Sequence, residues 1–357
     1  MKKLSLILIA VLSVSLTWAQ TTYVANNNPG APAGTNVFTG TNALQDAINA
    51  AVSGDIIHVI PGPNSHGDVT IDGKTLTIIG VGLNTQGAKS LVDDIELNNT
   101  GASGSRISGL HFQRLLLAND NTMVHTVSNI LLENSQLNVV IGPGYTTNSI
   151  ANLIVRNCVL NSSNSTFDAQ AFELYTNSGV IISNNIIKGR CCVAGAIQGE
   201  GLTIQNNLFF NGTNGTSFHD IDNSVVQNNI FLRSHPTLNS NMTGNTFQNN
   251  ISYLTTSNAF TTGVDGNTAT GNMEGIDPML TNVPETTGDW DYSYDITPLA
   301  GSPVLNAGTD GTDIGPTGGA TPFDVEGTFL PFIELLSIPA IVTTGSDLDV
   351  NIKAKGN

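Results

Sequence analysis

The chain has 357 residues, 39% of them hydrophobic, 6% aromatic and 11% charged, with 37 glycines. Its 28 acidic residues outnumber 12 basic ones, a formal charge of −16 that disfavours nucleic acid and anionic membranes, which need Lys and Arg to displace their counterions. So long a chain with so few aromatics suits an elongated, turn-rich β architecture better than one compact core.

The first nineteen residues, MKKLSLILIAVLSVSLTWA, place two lysines ahead of a short apolar run and a small residue before Gln20. This pattern reads as a secretory signal peptide cleaved after Ala19, so the protein is expected to be secreted: extracellular, at the cell surface or periplasmic. Without Lys2 and Lys3 the basic residues fall to 10 and the formal charge to −18. No other stretch approaches the roughly eighteen apolar residues of a membrane helix, so no membrane insertion is expected after cleavage.

Next comes NALQDAINAAVSGD, where Leu44, Ala47, Ile48, Ala51 and Val52 share one helical face. Asn42 stands as N-cap with Gln45 three residues on, and Gly54 stops the helix, giving a cap over 42–53. The segments IIHVIPG and VTIDGKTLTIIGVG then alternate like strands.

From about residue 130 a pattern recurs: an alternating apolar run, an asparagine or an asparagine pair, then a second apolar pair. Taking Asn134, Asn157, Asn185, Asn207, Asn229 and Asn250 as markers, the intervals are 23, 28, 22, 22 and 21. Three short strands with their turns use about twenty-two residues, so the period predicts one coil of a three-sided β-solenoid. Asn tolerates the left-handed backbone region at a sharp corner, and its amide can bond the next coil, so the markers are read as an asparagine ladder rather than as ligands. The helix 42–53 would close the first coil, which otherwise exposes unpaired backbone.

Cys158, Cys191 and Cys192 are the only cysteines. Vicinal cysteines strain as a mutual pair, so Cys158 can bridge to Cys191 or to Cys192, or all three can be small buried residues of neighbouring coils.

The capping helix leading into GDIIHVIPG, the coil KTLTIIGVG and the closing stretch GSPVLNAGTDGTDIGPTGG, 301–319, resemble those of secreted bacterial right-handed parallel β-helix proteins of the pectate-lyase-like class. The resemblance implies an all-β, right-handed, single-stranded parallel β-helix over 20–320; after Gly319 the composition changes, and two alternating runs around a Thr-Thr-Gly-Ser turn read as a short C-terminal β tail over 321–357. It also implies that ligands lie along the outer face of one strand per coil, about ten residues before the asparagines. Those segments are 123–128, 145–149, 171–176, 195–200 and 217–222. With Phe172, Leu174, Ala196 and Phe218 pointing inward, alternation sends Glu173, Tyr175 and His219 outward, with Asp220 at the following turn. His125 and Tyr145 extend this sugar-compatible strip.

Glu173 and Asp220, two coils apart, would stand about 9–10 Å from each other, at the inverting limit for a glycosidase carboxylate pair. A lyase base would come from Lys188 or Arg190, which counting places away from the strip. Asp310 and Asp313 are candidate calcium ligands in a Gly-rich loop, set against a purely structural turn. The reading is a secreted or cell-surface protein that binds extracellular polysaccharide or cell-surface glycan. A lyase or glycoside hydrolase using Glu173, Tyr175, His219 and Asp220 is the alternative, and a structural or adhesion protein the second alternative.

Overall fold

A computed structural model describes residues 20–83, 89–119, 124–143, 148–161, 171–174, 177–188, 199–210, 217–218, 221–236, 242–255, 257, 260, 266–285, 290–325, 332–337 and 351–355. The chain winds as a parallel β-solenoid whose longest wall holds twelve strands. The wall begins before the helix: Thr22–Asn26 pairs in parallel with Val37–Thr39 on one side and Ile56–Val59 on the other.

The helix Ala43–Ala50 closes the first coil, burying Ala43, Leu44, Ala47 and Ile48. Asn42 precedes it, but its side chain makes no capping bond. Gln45 instead turns to Thr70 on the edge strand of the five-stranded wall, accepting from its N–H (2.8 Å) and donating to its carbonyl (3.2 Å). That pairing satisfies backbone groups an open edge would leave bare. Val52, expected on the buried face, is 48% exposed, because the helix stops at Ala50 and Ala51 is already extended. The last-turn carbonyls are met from the next coil: Lys74 Nζ donates to Ile48, Asn49 and Ala51 (3.0, 3.3 and 2.9 Å), placing a cation at the negative end of the helix dipole.

Strand alternation fills the interior. Ile57, Ile78, Ile107, Leu132, Val155 and Ile182 stack in register along the long wall and are fully buried. Each contributes about 1.5–3 kcal/mol of transfer free energy. Farther along, the filling turns aromatic: Phe209 lies flat on Phe231 (4.7 Å between ring centres, 3° between planes), with Phe218 edge-on to both.

From Arg106–Ser108 onward, two sharp corners flank each strand of this wall, five residues apart. Asn129 and Asn134, Asn152 and Asn157, and Asn223 and Asn228 all have φ between 49° and 57°. Glycine takes the first corner at Gly179, Gly201 and Gly244, ahead of Asn184, Asn206 and Asn249. The six sequence markers therefore mix two positions. Asn134 and Asn157 align with Asn184, the first of its pair, while Ser135 and Cys158 align with Asn185.

The inward asparagines form a continuous series of amide bonds. Nδ2 of Asn185 donates to Oδ1 of Asn207 (3.0 Å), Asn207 to Asn229 (3.0 Å), Asn229 to Asn250 (3.0 Å) and Asn250 to Asn272 (2.9 Å). Each amide also donates to a main-chain carbonyl of the preceding coil, as Asn207 does to Ile182 (2.9 Å). The other corner builds its own series later, from Ser224 to Asn245 to Asn267. Cys158 fills the equivalent inward position as a fully buried free thiol, its Sγ donating to the Arg156 carbonyl. Its possible partners Cys191 and Cys192 lie outside the described residues.

A corner uses only two residues, one left-handed and one inward. This leaves room for a fourth short strand beside the three that the period suggested: Thr126–Ser128, Leu131–Glu133, Gln136–Leu137 and Val139–Ile141 each enter a different wall.

After the coils the chain doubles back. Asn249 donates to the Ala307 carbonyl (2.8 Å), Asn228 to Thr309 Oγ1 (3.1 Å), Asn206 to the Asp313 carbonyl (3.2 Å) and Asn184 to the Gly318 carbonyl (2.7 Å). The outward asparagines thus hold a strap running antiparallel to the coil order. Beneath it lies a second core, in which Ile186, Leu208 and Ile230 from the seven-stranded wall meet Trp290, Val304 and Ile314. That wall is apolar on its outer face because the strap covers it. Farther on, Phe332–Ser337 and Asn351–Lys355 pair antiparallel, the two runs read as a β tail.

Candidate functional site

The strip expected from alternation divides between two walls. From segments 123–128 and 145–149, the described strands Thr126–Ser128 and Ser149–Ala151 pair, and their wall continues to Asn177–Ser178. Glu173 lies elsewhere: its strand pairs with Val139–Ile141, in the row Glu96, Leu116, Ile141, Glu173. Loops between walls differ in length from coil to coil, so counting back from the asparagines lands on different strands.

His125 is 7% exposed, and its main-chain N–H bonds Asn148 Oδ1 (2.9 Å). Phe172, Leu174 and Phe218 are buried as expected. Glu173 is half-buried, and burial raises its carboxyl above the ordinary range. Tyr145, Tyr175, Arg190, Ala196, His219 and Asp220 lie outside the described residues, as do residues 1–19.

The Gly-rich loop uses its carboxylates internally. Asp310 Oδ1 accepts from Thr312 N–H (3.1 Å) and hydroxyl (2.7 Å), which holds its carboxyl below the usual range. Asp313 Oδ1 accepts from Asn306 N–H (2.9 Å). Among the described residues no three of His, Cys, Asp or Glu gather as metal ligands would.

A feature missed in the sequence stands where the seven-stranded wall turns into the five-stranded one. Here a cavity of about 320 Å³ is lined by polar groups including Ser65, Lys89, His111, Gln113, Gln136 and Asn138. Parallel bridges set Leu91, His111 and Gln136 side by side in successive coils. His111 Nε2 lies 3.0 Å from the Gly82 carbonyl, which only accepts, so Nε2 carries the proton and Nδ1 is left as acceptor. Burial, reinforced by the charge of Lys89, lowers the His111 pKa to about 4 and keeps the ring neutral. Gln136 bonds His111 and also accepts from the Tyr292 hydroxyl (2.7 Å), which ties the start of the returning segment to this coil. Burial raises the Tyr292 pKa above its ordinary value, keeping it a hydroxyl donor. Nothing in the local sequence advertises this group, because its members come from four successive coils.

Two charge clusters lie on the solenoid walls. Arg114 makes a forked pair with Asp94 in the five-stranded wall. On the long wall Glu133 is buried between Arg106 and Arg156, leaving one excess positive charge.

Neither a scan against protein-family models nor a search of curated proteins finds a match for this chain. Among solved structures it is similar to pectate lyase Pel9A, at 15% identity over 83% of this chain and 96% of that one, with a TM-score of 0.42. It is also similar to a rhamnogalacturonan lyase (13%; 77% and 96%; 0.42) and to an alginate lyase from Paenibacillus sp. str. FPU-7 (16%; 70% and 95%; 0.34). Likeness at this level transfers neither an activity nor a residue correspondence.

Proposed function

We propose that this protein is exported and binds polysaccharide on the outside of its solenoid, with the cavity beside Lys89 and His111 as the anchoring subsite. The carrying observation is the convergence in one concavity of a cation, the Asp93 carboxylate, a neutral histidine, three side-chain amides and a hydroxyl. Amides and a fixed imidazole offer donors and acceptors to sugar hydroxyls, and Lys89 offers a charge to an acidic substituent. Calorimetric titration with acidic and neutral oligosaccharides tests this reading. Binding of an acidic oligosaccharide that weakens about tenfold in Lys89→Ala, while neutral sugars respond little to that change, supports it. Absence of binding across the panel, or acidic binding indifferent to Lys89→Ala, overturns it.

One observation favours a catalytic second reading, in a lyase or hydrolase. A half-buried carboxyl with a raised pKa, as at Glu173, is the state a general acid needs. New reducing ends or unsaturated products from pectin, alginate, glycosaminoglycan or neutral glycans, abolished by Glu173→Gln, would establish it. A silent panel leaves binding as the function.

A further inference from the structure

A second concavity of about 190 Å³ opens near the far end of the rod, where the last coils meet residues 277–299. Leu232 and Tyr253, paired in register in the seven-stranded wall, contribute one side of it. Met279 and Leu299, tied by a main-chain bond of 2.9 Å, contribute apolar surface, and Asp277 and Glu285 contribute carboxylates. Burial and the charges of Asp277 and Glu285 raise the Tyr253 pKa, with Glu285 also hydrogen-bonded to its side chain.

The backbone around this cavity is unusual. Of the described non-glycine residues with left-handed φ, ten are asparagines and four are not. Three of those four are Arg233 (56°), Leu254 (54°) and Met279 (49°). Met279 lines the cavity, and Arg233 and Leu254 directly follow the lining residues Leu232 and Tyr253. Larger side chains held in this region mark places where surrounding structure imposes the conformation, and such places cluster at ligand clamps. Arg233 also spans to the loop, its Nη1 donating to the Glu285 carbonyl (2.9 Å).

We infer that this cavity is a subsite for a single uncharged sugar ring. An aromatic and aliphatic surface matches the C–H face of a pyranose, and carboxylates, which only accept, match its hydroxyls. The same two carboxylates repel an acidic ring, so the selectivity is opposite to that of the Lys89 cavity. This inference extends the polysaccharide reading, but it shares no residue with the Lys89 site and can stand or fall separately.

The test titrates the full chain with an uncharged hexose oligosaccharide, followed by calorimetry and amide chemical shifts, with the matching hexuronate oligosaccharide as competitor. The expected result is binding that weakens about tenfold in Tyr253→Ala and in Asp277→Asn, persists in Lys89→Ala and is not displaced by the hexuronate. Asp277 is exposed, so its substitution reads the site even if Tyr253→Ala disturbs folding. No binding of the uncharged sugar, binding unchanged in Asp277→Asn, or equal competition by the hexuronate overturns the inference. Loss of acidic-sugar binding in Lys89→Ala would leave it untouched.

Discussion

Paired asparagines do two different jobs one residue apart. The second of each pair turns inward and is fully buried: Asn229 donates to Ile204, Gln227 and Asn250, and its Oδ1 accepts from the amide and main chain of Asn207. Asn229→Ala removes all of these and orphans groups in two neighbouring coils, so it should lower unfolding free energy in urea by about 3 kcal/mol. Asn249→Ala removes a single bond to the strap and should cost about 1 kcal/mol. Equal losses would show that inward and outward positions are not distinct. The asparagine period was legible in the sequence because this residue tolerates left-handed corners. Which asparagine points inward was not, because Ser135 and Cys158 hold the inward position in the two earliest marked coils, and the lone Asn134 and Asn157 look like its occupants.

At the level of the element, the capping helix and the alternating strands could be read from local periodicity. The first corner of each unit could not, since Asn129, Asn152 and Asn223 alternate with Gly179, Gly201 and Gly244 and no one letter recurs. What matters there is a left-handed φ, which two residue types supply. The strap was equally hidden, because its bonds join residues 58 to 134 positions apart. The Lys89 cavity was hidden for the same reason, while the predicted strip failed as a single row because irregular loops shift the strand count. At Gly315 the strap lies tight against the wall: its φ is +96°, and a Cβ there would overlap Ile230. Gly315→Val should loosen the strap while leaving the coils wound. Trp290, largely buried against Phe210 and Tyr294, reports on this directly. Its fluorescence should shift to the red and amide exchange across 304–319 should accelerate, with the long wall still protected. Unchanged emission and exchange would mean that the strap tolerates the side chain.

For the molecule as a whole, acid is the expected weakness. The unfolded chain protonates His111 near its ordinary pKa of about 6.5, whereas the folded chain resists until about 4. Protonation therefore favours unfolding across that interval, and stability present above pH 6.5 is lost as pH falls through 4. Burial lowers the pKa of His58 and His66 as well, adding to the same trend. Urea melts at several pH values should show the decline, and His111→Gln should flatten it; an equally steep curve in that variant would remove His111 as a cause. The antiparallel strap also imposes an order on biogenesis. During synthesis, the greasy exterior of Ile186, Leu208 and Ile230 emerges about a hundred residues ahead of its cover, so a nascent chain stalled on the ribosome displays a sticky flank that only the later segment 290–314 can hide.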